Sequence, residues 1–214
     1  MLAVASAVSR EGKSSLAAQL AVSLANATGE TTLLIDTDMR DPDLHEMFDL
    51  PLEPGLAEVL EHQVTLDDAI VTSWSRRVHI LPAGRLMRSP HVLLGGGAFH
   101  ALLDEARARY RYIVIDSPPV LAASEALVVA KAADGTLLCT MRDISRVGQV
   151  RQATERLRTA GARPLGAVFS GVPPTNYAYK YGSYCNSPYA RRTWADNAAA
   201  AEGGAEATDD EGSA

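Results

Sequence analysis

AVSREGKS, residues 7–14, is the stretch on which the fold turns. An apolar run at residues 2–7 leads into it, and KSSLAAQLAVSLANATG leads out, with Leu16, Leu20 and Leu24 at helical spacing and Gly29 as the stop. A short strand, a loop ending in GKS and a helix make the frame of a phosphate-binding loop, although Ala7 stands where the first glycine of that pattern is usual. Gly12 permits a tight backbone approach, and Lys13, on a solvent-facing loop, offers a compact ammonium to the β and γ phosphates. The Ser14 hydroxyl is placed to ligate Mg²⁺ while the helix N-terminus faces the anion. Lys13 is one of only three lysines in the chain, with Lys131 and Lys180. Taken alone, GKS before a helix is a permissive pattern that chance also supplies, so the rest of the chain has to decide.

Outward from the loop, TTLLID reads as a short buried strand ending at Asp36, with the loop DTDMRDPDL behind it. One helix or two short ones follow between Leu56 and Ile70, then a strand in RVHILPAG and a glycine turn at 95–97. Phe99 to Arg109 reads as a helix with Leu102, Leu103 and Ala106 on one side, feeding the strand YIVIDSPP that ends at Asp116. A helix from Ser124 to Ala133, a strand TLLCTM, a helix from Ser145 to Ala160 and a last strand PLGAVFS complete the series. Apolar strands alternating with helices predict an α/β fold: a P-loop NTPase-like, mainly parallel sheet with helices on both faces. Such sheets bind ligands at the carboxyl ends of their strands. Asp36, Asp38 and Asp116 fall there, as does Arg142 in CTMRD, which reads either as a nucleotide contact or as a surface ion pair. Strand-end aspartates serve as helix caps as well as metal ligands. With the GKS loop, the three together point to a nucleoside triphosphate held with Mg²⁺.

A chain of 214 residues with 47% apolar content can bury one substantial core. Its two cysteines, Cys139 and Cys185, exclude a disulfide scaffold and fit a reducing cytosol, with Cys139 read as a buried small hydrophobe. No stretch reaches the ~18 uninterrupted apolar residues of a membrane span, and no basic segment precedes the N-terminal apolar run. The net charge of -6 comes from residues 195–214, which carry Asp196, Glu202, Glu206, Asp209, Asp210 and Glu211 and no Lys or Arg. The near-neutral remainder argues against a nucleic-acid partner. The tail itself is too polar to offset its ordering entropy and is predicted to be disordered. Just before it, NYAYKYGSYCNSPY (176–189) gathers five of the seven tyrosines: Tyr177, Tyr179, Tyr181, Tyr184 and Tyr189. It contains no Leu, Ile or Val, so it reads either as a loosely packed surface segment or as a terminal edge strand. The expected organisation is a body at 1–175, a tyrosine-rich segment at 176–194 and an acidic tail at 195–214.

AVSREGKSSLAAQLA, LLIDTDMRDPDLHEMFDLPLEPGLAEVL, VHILPAG with SPHVLL, YRYIVIDSPPVL and ADGTLLCTMRDISRVGQV resemble successive blocks of the bacterial tyrosine kinases of capsular and exopolysaccharide export. The wider class resembles the partition and cell-division ATPases. The resemblance implies an ATP- and Mg²⁺-dependent protein-tyrosine autokinase, with Ser9, Arg10, Glu11, Gly12, Lys13, Ser14, Ser15 and Arg142 toward the nucleotide. It places Asp36 and Asp38 in the second Walker-like motif. Asp36 is the candidate for orienting or deprotonating the phenol, and Ser14, Asp38 and Asp116 are candidates for the metal. It makes the five tyrosines phosphoacceptors, modified between subunits of a homo-oligomer. It further implies a membrane activator or chain-length regulator, separate or upstream in a longer parent chain, and a cytoplasmic position at the inner face of the plasma membrane. Four positions depart from the pattern. Ala7 replaces the first glycine, Ser9 and Arg10 replace a usual Pro and Gly, and Ser170 replaces an Asn. No counterpart of the family's upstream helix precedes the first strand. Two other readings stand beside the kinase: a nucleotide-switched ATPase without kinase activity, and a noncatalytic interaction protein.

Overall fold

The computed structural model describes residues 1–172; the tyrosine segment, Cys185 and the acidic tail lie outside the described residues. In chain order the elements are β1 (Leu2–Ser6), α1 (Lys13–Thr28), β2 (Thr32–Asp36), α2 (Leu44–Met47), α3 (Leu56–Leu60), α4 (Leu66–Ala69) and β3 (Val78–Leu81). They continue with α5 (Pro90–Gly95), α6 (Gly97–Arg109), β4 (Tyr112–Asp116), α7 (Glu125–Ala132), β5 (Gly135–Met141), α8 (Val147–Thr159) and β6 (Pro164–Ser170). The six strands form one sheet in the order β3-β2-β4-β1-β5-β6, and every pairing is parallel.

A parallel sheet covered by helices needs strands that are apolar on both faces, and β2 is buried at every position. Alternation sends Leu33 and Ile35 to one face, where Phe99, Leu102, Leu103 and Ala106 of α6 close over them. Further along that face, Ala5 and Leu138 meet Ala126 and Ala130 of α7 and Ala153 and Leu157 of α8. α1 covers the opposite face, against β1, β2 and β4. Its buried residues are Ala17, Ala18, Ala21, Val22 and Ala25. The leucine row at 16, 20 and 24 is only half-buried beside them. Alanine lets the helix sit close to the sheet, so the small side chains form the inner stripe and the leucines its shoulder.

The region expected to be one helix or two is two, α3 and α4, the second opened by a Thr65–Asp68 capping box. The glycine turn at 95–97 is instead the junction of two helices, with Gly96 extended between α5 and α6. α5 has only six residues, begins at a proline and buries Leu93 and Leu94, too few residues to show a helical period.

β1 lies between β4 and β5 while the chain's next strand, β2, lies beyond β4. That is a topological switch point, where a crevice opens at the carboxyl ends of the strands. The parallel register sets Asp36 beside Asp116 and Val4 beside Asp116, so the loop after β1 and both strand-end aspartates converge.

Candidate active site

A cleft of about 520 Å³ opens at this point. Ser9, Arg10, Gly12, Lys13, Ser14 and Ser15 line one side, Asp38, Asp41 and Asp43 face them, and Met141 at the end of β5 closes one wall. Gly12 has φ 80°, a conformation that favours glycine, and a Cβ there would lie 2.8 Å from the flexible end of Met141. Arg10 also adopts a left-handed backbone, at φ 66°. It occupies the position where the resembled kinases carry glycine, and the conformation costs a side-chain-bearing residue about 1–2 kcal/mol.

The loop faces solvent at Ser9 and Arg10, as expected, but the Lys13 side chain is buried, 6% exposed. Its Nζ lies 2.9 Å from Oδ2 of Asp38, 3.7 Å from Oδ2 of Asp116 and 4.0 Å from Oδ2 of Asp43. It also donates to Oγ of Ser14 at 3.1 Å. Burial acts to lower its pKa, but Asp116, Asp38 and Asp36 together outweigh that and raise it above the ordinary lysine value. The ammonium is therefore fixed in its charged form, surrounded by the carboxylates of the strand ends.

The aspartates divide by geometry. Asp36 is fully buried, and both of its oxygens are engaged by its own loop: Oδ1 accepts from Asp38 N–H at 3.0 Å and Oδ2 from Leu44 N–H at 3.2 Å. Burial and then the neighbouring Asp116 push its carboxyl well above the ordinary range. Asp38 faces Lys13. Asp116 is fully buried, and neither carboxylate oxygen has a hydrogen-bond partner. The Ser14 hydroxyl donates to Asp43 at 3.0 Å instead. Burial raises Asp116 to about 6, opposed by Lys13 and Ser14 and reinforced by Asp38 and Asp43. Lys13 balances the Asp116 charge from 3.7 Å without a hydrogen bond, which leaves the carboxylate oxygens open to a metal ion. The nearby Ser14 hydroxyl and Asp38 carboxylate make an all-oxygen set suited to Mg²⁺. No group of three or more metal-type side chains forms a protein-only cage among the described residues.

Two residues expected to face the nucleotide lie elsewhere. Glu11 is fully buried behind the loop. Its Oε2 accepts from Val8 N–H at 2.9 Å, and its Oε1 accepts from the Ser145 hydroxyl, which itself accepts from Met141 N–H at 2.7 Å. Cys139, buried as expected, donates its thiol to the Glu11 carbonyl at 2.9 Å. The Arg142 side chain pairs with Asp143 at 3.2 Å and does not line the cleft. Asp43, Ser145 and Met141 were not singled out from sequence. The repeated acids of DMRDPD were a usable signal for Asp43, whereas nothing local marks Ser145 as a partner of the loop.

Residues 2–158 match a family described as an AAA domain. Tyrosine-protein kinase relatives are more specific: a putative tyrosine-protein kinase, CapB of Staphylococcus aureus, is 34% identical over 184 residues, spanning 85% of this chain and 80% of that protein. This chain belongs to the bacterial tyrosine-protein kinase family. In three dimensions the kinase superposes on the kinase domain of the Escherichia coli tyrosine kinase ETK with a TM-score of 0.76 and 28% identity, covering 80% of this chain and 67% of that one. The septum site-determining protein MinD of Pyrococcus horikoshii, solved with Mg-ADP, shares the fold at 23% identity and a TM-score of 0.67, covering 83% of this kinase and 75% of its own chain. The fold therefore extends to nucleotide-binding proteins outside the kinases.

Proposed function

We propose that this kinase transfers the γ-phosphoryl group of ATP to Tyr177, Tyr179, Tyr181, Tyr184 and Tyr189 of a neighbouring copy, as an autokinase regulating capsular or exopolysaccharide synthesis and export. The observation that carries the reading is the convergence of Lys13, Ser14 and Asp38 in one cleft, with Asp116 buried 3.7 Å from Lys13 and without a hydrogen-bond partner, in a chain whose family is that of tyrosine kinases.

Ser9, Arg10, Gly12, Ser14 and Ser15 form the nucleotide cradle, and Lys13 is set to follow negative charge as it shifts between the β and γ phosphates. Ser14, Asp38 and Asp116 would hold Mg²⁺, which would supply charge neutralisation on the phosphate oxygens. Glu11 acts from behind by fixing the loop. In the transfer, a bond forms between the phenol oxygen and the γ phosphorus while the bond to the β–γ bridging oxygen breaks; ADP leaves, and the phenol proton passes to a carboxylate. Asp38 is the better placed acceptor of that proton because it lines the cleft and Asp36 does not; each has both oxygens engaged, Asp36 by two loop amides and Asp38 by Asp41 N–H and Lys13. Asp36 is then the residue that holds the 36–44 loop in shape.

The proposed organisation is a kinase body at 1–175, the acceptor segment at 176–194 and the acidic tail at 195–214. The proposed partners are further copies of the chain and a membrane activator or chain-length regulator, separate or upstream in a longer parent. The proposed location is the inner face of the plasma membrane. Among the described residues no helix is long and apolar enough to cross a membrane, so the attachment is assigned to that partner or upstream region. The test mixes Lys13→Met protein, checked for folding by circular dichroism, with an active partner whose five tail tyrosines are phenylalanine. Phosphate is expected on the Lys13→Met chain within residues 177–189. An unmodified mixture beside a modified wild type would exclude transfer between copies.

A further inference from the structure

The far edge of the molecule from the cleft's acidic side carries a surface that the kinase reaction does not use. Arg146, Arg151, Arg156, Arg158 and Arg163 lie in or beside α8, all exposed, and none has an ion pair among the described residues. Over the same residues the only carboxylate is Glu155. Arginines in a last helical turn offset the helix dipole, which accounts for Arg156 and Arg158 but not for the other three.

Helical periodicity sorts this surface into two flanks. Ala153 and Leu157 point into the core. Arg156 lies on the flank that faces Leu121 and Leu127. Val147, Arg151 and Arg158 share the opposite flank, which faces the edge strand β6; the two arginines stand about 10 Å apart along the axis. The register of β5 with β6 puts Ala167 beside Leu138 and Phe169 beside Thr140, so Ala167 and Phe169 belong to the sheet face that α8 covers, while Leu165, at a register shift, lies over Gly135 on the other face. α8 does not reach far enough to cover this end of β6: Phe169 is 57% exposed, and Val147 of α8 itself is 81% exposed. The result is one continuous edge with protruding apolar side chains set among unpaired arginines.

We infer that this edge, the β6 face with the adjoining flank of α8, rests on an anionic lipid surface. Arginines complement the phosphate charge of the headgroups while their stems and the intervening Phe169 and Val147 enter the headgroup boundary. An acidic protein would be met by the arginines alone, and it is the apolar side chains between them that favour lipid. The contact adds a direct membrane attachment to the one assigned above to a partner, and it is measured without nucleotide, so its failure is separate from that of the kinase reading.

The test is co-sedimentation of the full chain with vesicles of phosphatidylcholine alone or with phosphatidylglycerol added, at low salt. Binding is expected only to the anionic vesicles. It should fall at least about tenfold in an Arg151→Glu, Arg158→Glu double variant, fall again in Phe169→Ser, and weaken with added salt. Wild-type melting temperature and autophosphorylation in both variants would show that the fold is intact. Equal sedimentation with neutral and anionic vesicles, or loss in neither variant, overturns the inference. So does arginine-dependent capture of a polyglutamate peptide with no vesicle binding, which would assign the edge to an acidic protein.

Discussion

Replacing Glu11 by alanine tests whether the phosphate loop is held from behind. The Glu11 side chain is fully buried, and its carboxylate is the acceptor for Val8 N–H and for the Ser145 hydroxyl. Alanine leaves both donors without a partner, at about 1–3 kcal/mol each, partly offset because a buried charge is also removed. The net loss is set at about 2–4 kcal/mol, which for a domain of this size lowers Tm by about 5–15 °C. Glutamine is the control. Its amide oxygen can accept from Val8 and its NH₂ can donate to Ser145, so only the serine proton loses its acceptor, and the loss should be about 1 kcal/mol. Since Ser145 also accepts from Met141 N–H, and Met141 walls the cleft beside Gly12, alanine should raise KM for ATP more than it lowers kcat, with glutamine restoring most of it. Thermal melts and initial-rate autophosphorylation read both effects. An alanine variant melting within about 2 °C of wild type would refute the assignment of Glu11 as the loop's anchor.

Three further outcomes follow from the same geometry. Arg10→Gly relieves the left-handed strain at φ 66° and is expected to stabilise the chain by up to about 1 kcal/mol in urea titration; a destabilised variant would mean that the side chain has a compensating role. Lys13→Met leaves Asp38 and Asp116 buried without their cation and should cost about 3–5 kcal/mol besides abolishing transfer, against no change in Tm if the ion pair were solvated. Asp116, raised to about 6 from the ordinary 3.8, binds its proton more tightly folded than unfolded. Its contribution therefore favours the fold below pH ~4 and is lost as pH rises through ~6. The difference in Tm between Asp116→Asn and wild type, measured without nucleotide, should shift in favour of the variant between pH 4 and 7, and wild-type Mg²⁺-ATP affinity should fall below about pH 6. A Tm difference independent of pH would mean that burial does not raise Asp116, and an Mg²⁺-ATP affinity unchanged below about pH 6 would remove it from the metal site.

The sequence made the sheet legible because its buried strands are short, apolar and followed by chemistry: TTLLID ends on Asp36 and YIVID on Asp116, and the structure pairs those two residues side by side. Helix faces were less legible. The leucines of α1 are its most hydrophobic residues, yet close packing on the sheet selects the alanines. Burial of Lys13 could not be read locally, because it depends on the loop from 36 to 44 folding over the phosphate loop, and that loop is shaped by the two backbone amides that Asp36 captures. Glu11 was grouped with the nucleotide by its place in the motif. Only the long-range contact with Ser145, 134 residues away, turns its side chain inward.

The central claim is phosphoryl transfer onto the chain's own tyrosines, and intact-mass analysis of the purified protein after incubation with Mg²⁺ and ATP measures it most directly. The expected result is a ladder of phosphoryl additions, removable by a tyrosine phosphatase, on the wild type, and a single unmodified mass for both Lys13→Met and the variant with all five tail tyrosines replaced by phenylalanine. A wild type that binds Mg²⁺-ATP and hydrolyses it while keeping one unmodified mass would contradict the account and leave a nucleotide-switched ATPase in its place.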